Sequence, residues 1–342
     1  MLTSSKPLAD PRRRGEPLAV FEVIEELAAV GRLETRVNPS AIPTGFDVLD
    51  RVLDGGIRLH DLVLLGGLPG VGKTIASLQM AREVALAGHT AMYVCYEHDA
   101  RTLFGRLLSL ELGAEAGDAD LPHLELLRGT VLKTINEGGD FRTLVVREPQ
   151  LGAALEGIAA YAHRLVFVAA SGAHTGLPEL GALVRERLGD GGVLFVDYLQ
   201  KVAVQPEPPD EAEKVTKITE GLKDLALNHD VRVVAIVAAD RAALDARRLR
   251  LHHLRGSSAL AYEADAIVLL NDKFNCVSKV HLAYDAVRAE TFHRWVVFTV
   301  EKNRGGPGMV DLEFRKEFAF YRFDPHGGYV AERLVDERLV LE

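Results

Sequence analysis

Gly67, Leu68, Pro69, Gly70, Val71, Gly72, Lys73 and Thr74 satisfy the spacing G-x-x-x-x-G-K-T. Such a loop turns backbone N–H groups inward around phosphate oxygens, while Lys73 reaches the β/γ oxygens of a nucleoside triphosphate and Thr74 offers its hydroxyl to Mg²⁺. The apolar run "DLVLL" precedes it and a helical pattern opens at about Lys73, the context that separates a phosphate-binding loop from a chance glycine turn. Hydrolysis of ATP further needs a carboxylate near the metal and a base for water. Asp197, ending the buried-strand pattern of "GGVLFVDYLQ", is placed to hold the metal with Thr74; the alternative is a cap for the next segment. Glu97 ends another such run in "TAMYVCYEHD" and can polarise water, or be a simple strand-end acid. In "FTVEKNRGGPG", Lys302 and Arg304 lie two apart, so on a strand they share one face while Asn303 points away. Two cations aimed together can stabilise a neighbour's γ-phosphate, although most basic pairs on strands are only solvated.

These residues need a scaffold, and the chain supplies six short apolar runs: "DLVLLGG", "TAMYVCYE", "RLVFVAAS", "GGVLFVDYL", "VRVVAIVAA" and "ADAIVLLN". Rich in Val, Ile and Leu, they read as strands buried on both faces. Helical patterns at 73–87, 99–112, 178–188 and 211–228 separate most of them, which predicts an α/β fold with a mostly parallel sheet. Two runs around "NRGGPG" add a C-terminal antiparallel hairpin at the sheet edge. Residues 1–17 read as a flexible tail, and 18–44 as an amphipathic helix over 18–30 followed by a Pro-containing connector. The apolar stripe of that helix, Val20, Ile24, Leu27 and Ala28, needs a surface to cover it, which another subunit could supply. Residues 45–325 form the catalytic domain and 326–342 a C-terminal tail.

A chain of 342 residues, 48% hydrophobic and 26% charged, is a globule with a substantial core. Its net charge of −9 restricts any nucleic-acid contact to a patch or pore. One such patch is "DRAALDARRLRLHHLR", with Arg241, Arg247, Arg248, Arg250 and Arg255 beside His252 and His253. Opposing it, "KVAVQPEPPDEAEK" after Asp197 is acidic and proline-rich, unsuited to gripping phosphodiesters. Cys95 and Cys276 have no metal-ligand spacing and read as small core residues in a reducing compartment. No uncharged apolar run is long enough to span a bilayer, so a cytoplasmic location without membrane contact is expected.

The segments "IPTGFDVLDRVLDGG", "GLPGVGKT", the strand ending "YE", "GVLFVDYLQ", "YEADAIVLL" and "KNRGGPG" occur in order over roughly residues 18–325, and together the chain resembles the ATPase domain of DnaB-type replicative helicases in the RecA-like superfamily. The resemblance implies a RecA-like P-loop core in a homo-oligomeric, hexameric ring. It also implies Mg·ATP between subunits, Glu97 as base and Lys302 with Arg304 supplied in trans. It further implies a linker helix at 18–30 docked on the adjacent subunit and a DNA-facing loop carrying Arg241, Arg247, Arg248 and Arg250; the chain departs from the family in that only 17 residues precede this helix, so the family's N-terminal helical domain is expected to be absent. Where the family usually has a glutamine near the end of "VVAIVAADR", this chain has Ala238 or a neighbouring alanine, so coupling of the γ-phosphate to the DNA loops is expected to be weaker. Two functions follow: a motor that translocates on single-stranded DNA, or a regulatory or assembly ATPase resembling the KaiC-like branch and acting on a protein partner. A monomeric P-loop kinase is disfavoured, because no acceptor site or lid is evident.

Overall fold

The six apolar runs become the six parallel strands of one sheet in the computed structural model, which describes Val20 and residues 41–335 apart from 115–120, 190, 257, 279 and 282–285. In chain order, β1 (Ala41–Ile42) and β2 (Ile57–Arg58) form a small antiparallel ribbon around helix α1 (Asp47–Val52). Strand β3 (Leu62–Gly67) leads through the glycine loop into α2 (Lys73–Leu86), then β4 (Ala91–Cys95). Helices α3 (Ala100–Ala114), α4 (Leu121–Glu137), α5 (Phe141–Arg147) and α6 (Pro149–Ala159) intervene before β5 (Leu165–Ala169). Next come α7 (Leu177–Leu183), β6 (Val193–Asp197), α8 (Glu211–Asn228), β7 (Arg232–Ala238), α9 (Ala259–Glu263) and β8 (Ala266–Asp272). The chain continues through α10 (Lys273–Cys276), α11 (Ala286–Thr291), β9 (Trp295–Asn303), β10 (Val310–Glu317), β11 (Arg322–Phe323) and β12 (Gly328–Tyr329).

The sheet has ten strands in the order β11-β10-β9-β8-β3-β7-β6-β4-β5, with β12 paired to β10. From β8 to β5 the pairing is parallel, and β9 and β10 add the expected antiparallel hairpin beside β8. Strand alternation sends Val63, Leu65, Tyr93, Phe195 and Ile236 to the face covered by α2 and Phe46. Leu62, Leu64, Met92, Val94 and Val233 go to the face covered by α7 and α8. Both faces of β3, β4, β6, β7 and β8 are therefore buried, which is why they carry continuous apolar runs, whereas β5, expected to be buried too, is the edge strand and is only half-buried.

Three parts of the fold differ from the sequence expectation. Helices α4 to α6 build an apolar cluster of their own with α3, through Leu107, Leu108, Leu124, Leu127, Val131 and Leu151. The spacing of Leu124, Leu127 and Val131 carried that signal. Arg82 of α2 ties this layer to the sheet, donating to both carboxylate oxygens of Glu111 (2.6 and 2.7 Å), and the Tyr161 hydroxyl donates to the same carboxylate. Second, the presumed C-terminal tail joins the fold as far as Val335: Glu332 is buried against Lys273 (2.7 Å), and the Val335 N–H donates to the Cys276 carbonyl (2.7 Å). An ion pair of this depth is not compatible with a solvated tail. Third, Ala41 and Ile42, assigned to the connector, form β1. The tail at 1–17 and, except for Val20, the helix at 18–30 lie outside the described residues. Cys95 and Cys276 are both buried and unbridged. No helix among the described residues is long and apolar enough to cross a membrane.

Candidate nucleotide-binding site

The loop between β3 and α2 sits at the C-terminal edge of the parallel strands, where ligands of such sheets collect. Its turn depends on Gly70 and Gly72, whose φ angles of 80° and 104° favour glycine. A Cβ on Gly72 would also stand 2.6 Å from the Phe323 ring. Gly72 is the N-cap of α2, and no acidic residue occupies the first turn, so the positive end of the helix dipole meets the loop unopposed. Lys73 curls over the loop, donating to the carbonyls of Gly67 (2.8 Å) and Leu68 (2.9 Å). Burial pulls the Lys73 pKa below that of free lysine, partly countered by the carboxylates of Asp197 and Glu97.

Asp197 ends β6 beside the end of β4, with Cys95 opposite it in register. Its buried carboxylate accepts from Thr74 Oγ1 (2.9 Å) and from the Tyr93 hydroxyl (3.0 Å), and Ser77 is hydrogen-bonded to Tyr93 (2.7 Å). Burial raises the Asp197 pKa, against the lowering effect of those two donors. The Thr74 hydroxyl and the Asp197 carboxylate thus converge as hard oxygen donors, which fits Mg²⁺ sharing its shell with phosphate and water. Among the described residues there is no cluster of three or more His, Cys, Asp or Glu that could hold a metal alone.

A cleft of about 440 Å³ opens over the loop, with Glu97 on its wall together with Lys73, Thr74 and Asp197. Glu97 is exposed, two residues beyond the end of β4. The cleft contains further residues that sequence reasoning did not select: His98, Arg106 on α3, Phe318 and Tyr321. Arg106 stands 5.4 Å from the Tyr321 ring, which Arg128 also faces at 5.7 Å. Nothing in spacing marks Arg106, because only the packing of α3 beside α2 brings it there.

Lys302 and Arg304 are far from this cleft. In the register of β9 on β8, Lys302 pairs with Ile267 and Asn303 with Ala266, whereas Gly67 of the loop strand pairs with Leu270. The basic pair therefore lies at the opposite edge of the parallel strands, with about 10 Å of strand between Lys302 and the loop and more for Arg304, beyond the reach of either side chain. Lys302 Nζ donates to the Ala261 carbonyl (2.7 Å), and Arg304 pairs with Asp265 (3.1 Å). Both side chains thus turn toward the end of α9, although Arg304 lies one residue beyond β9, in the turn, and not on a shared strand face as expected.

The basic segment after β7 is divided by burial. Arg248 is buried and pairs with Asp311 of β10, and Arg250 is buried and pairs with Glu301 of β9 (2.5 Å). The expectation that these two face DNA is corrected: their charges are spent holding the loop to the hairpin. Arg241 is exposed, Arg247 half-buried with a donor on the Val277 carbonyl (3.0 Å), and Arg255 exposed beside Glu211 (2.6 Å). At the end of β7, Ala238 supplies no side-chain polar group, but Gln200 does so from the segment after the neighbouring strand. Its Oε1 accepts from the Ala238 N–H (3.2 Å) and its Nε2 donates to the Arg255 carbonyl (2.9 Å). A polar tie between the cleft edge and the basic segment is present after all.

Residues 41–323 match the family described as DnaB-like helicase C terminal domain. The chain is 26% identical over 311 residues to the replicative DNA helicase DnaB of Treponema pallidum, covering 88% of this chain and 61% of that protein. It is 25% identical over 301 residues to the replicative DNA helicase DnaC of Bacillus subtilis, covering 84% and 59%. The chain thus spans about three fifths of the length of these relatives. Among solved structures, one isolated ATPase domain superposes with a TM-score of 0.68 at 19% identity, over 90% of this chain and 99% of that one. A DnaB-like replicative helicase, described with its primase interactions, gives 0.66 at 21% identity, over 91% and 72%. These last two likenesses establish a RecA-like fold with an antiparallel C-terminal edge, in agreement with the strand order. With the glycine loop, Asp197 and the "KNRGGPG" hairpin all inside the matched span, the chain belongs to the DnaB-like helicase C-terminal domain family.

Proposed function

We propose that this chain is the motor of a ring-forming helicase that hydrolyses Mg·ATP at the contacts between its copies and translocates on single-stranded DNA. The observation that carries this reading is the separation of the two halves of the site. The glycine loop with Lys73 and Thr74 stands at one edge of the sheet, and Lys302 and Arg304 stand at the other edge, out of its reach. A second copy that set its β9 edge against the cleft would bring Lys302 and Arg304 to the γ-phosphate. Lys73 and the loop amides bind the phosphates, Thr74 and Asp197 hold Mg²⁺, which neutralises phosphate charge, and Glu97 accepts the proton of the attacking water. Arg106, facing the same cleft, is a further cation for the nucleotide. The relatives named replicative helicases support DNA as the track, and Arg241 and Arg247 are the arginines left to face it.

The test is complementation. Arg304→Ala should keep ATP affinity yet lower turnover by about 10³-fold, as loss of such a cation does in comparable sites. Lys73→Ala should bind ATP poorly and also be inactive. Mixed rings of exchanging subunits contain some contacts with a sound cradle and a sound finger, so activity should partly return. Mixtures that exchange freely and stay inactive would overturn the shared site.

A further inference from the structure

We infer that Asp265 is the positioning residue of the Arg304 finger, an assignment that rests on the shared-site reading above. Asp265 lies just ahead of β8, and its side chain is only 12% exposed. Its Oδ1 accepts from Arg304 Nη1 (3.1 Å), and its main-chain carbonyl accepts from the Arg304 N–H (2.8 Å). The other oxygen, Oδ2, accepts from Lys223 Nζ of α8 (2.6 Å) and from the Leu62 N–H at the start of β3 (2.8 Å). One carboxylate therefore fixes the inner end of a guanidinium whose side chain is half exposed, and is itself fixed by the loop strand and a helix. Arg304 Nη2 also donates to the Tyr262 carbonyl, so two acceptors orient the planar fork.

Without that anchor the arginine keeps its charge but regains its rotamers, and a finger displaced by about 1 Å loses roughly 10²-fold in rate. Asp265 never meets the nucleotide of its own chain. Its effect falls on the cleft of the adjacent copy, and this separates a positioning role from a merely structural one.

The experiment uses the full chain. Asp265→Asn should keep affinity for a fluorescent ATP analogue within about threefold, lower turnover roughly 10- to 100-fold, and regain turnover when mixed with Lys73→Ala subunits, whose fingers are sound. Lys223→Met leaves Asp265 its contacts with Arg304 and the Leu62 N–H and should lower turnover less than Asp265→Asn does. Should Asp265→Asn fail to fold because Lys223 loses its partner, the double variant Asp265→Asn/Lys223→Met removes both buried charges together and must show the same defect and the same recovery. Parental turnover in Asp265→Asn or the double variant overturns the proposal. So does a defect that Lys73→Ala subunits cannot rescue while the Arg304→Ala and Lys73→Ala mixture recovers. If that reference mixture itself fails, the shared site falls, and the role of Asp265 falls with it.

Discussion

Arginines of one type in one segment take opposite roles between residues 241 and 255, and burial decides which. Removing Arg248 or Arg250 leaves Asp311 or Glu301 without its cation, so each alanine variant should cost about 3–5 kcal/mol in urea unfolding, whereas Arg241→Ala should stay within about 0.5 kcal/mol. Equal small losses at all three positions would return Arg248 and Arg250 to the surface. At the cleft, Glu97→Gln preserves the shape and the nucleotide contacts but cannot take a proton. Single-turnover assays should find bound ATP and almost no product, and normal hydrolysis would remove Glu97 as the base. The positions of the glycine loop after one buried strand, of Asp197 at the end of another and of Glu97 two residues past a third were legible in sequence. Arg106 was not, because its place depends on how one helix packs.

Among the elements, α1, tied by Asp50 to the turn before it, carries a titration that can be read in stability. Asp50 accepts from Thr44 Oγ1 and Thr44 N–H (both 2.7 Å) and from the Gly45 N–H (3.2 Å). Burial nevertheless pushes its carboxyl from 3.8 up to about 6. Between those values the folded chain holds a proton that the unfolded chain releases, so the contribution is complete below 3.8 and lost as pH rises through 6. Relative to Asp50→Asn, the parent should lose on the order of 3 kcal/mol at most between pH 4 and 7 in urea unfolding. A difference that does not vary with pH would reject this. The hairpin and the six parallel strands were readable from period and turn residues, since the five inner strands, covered on both faces, carry continuous apolar runs and the turn between β9 and β10 carries Gly and Pro. Helices α4 to α6 were not assigned although Leu124, Leu127 and Val131 carry a helical spacing, because that spacing does not show which elements they pack on, here α3 and the edge strand β5. The segment ending at Val335 was missed because Glu332 looks solvated until Lys273 and Arg288 are placed beside it.

For the whole molecule, an acidic chain can hold DNA only through a local surface, and the ring reading makes that surface a shared pore. Single-stranded DNA should accelerate ATP turnover roughly tenfold at moderate salt. Arg241→Ala should weaken binding and reduce the salt slope by about 0.7 per site removed. Turnover indifferent to DNA would exclude the translocating motor. Deleting residues 1–30 should shift sedimentation toward smaller species with less activity, because the apolar stripe at Val20, Ile24, Leu27 and Ala28 is expected to dock on a neighbour. By itself the sequence determined the parallel α/β core with its antiparallel edge hairpin and the glycine loop after the first core strand, and it nominated Glu97, Asp197, Lys302 and Arg304 as candidates, because strand burial and tight turns leave local signatures in residue type and spacing. Only the tertiary structure decided that the loop and the basic pair stand at opposite edges of one sheet, that Arg248 and Arg250 are internal, and that Asp265 holds Arg304. Those facts depend on strand register and on which charges meet between elements far apart in the chain, and no local pattern encodes that.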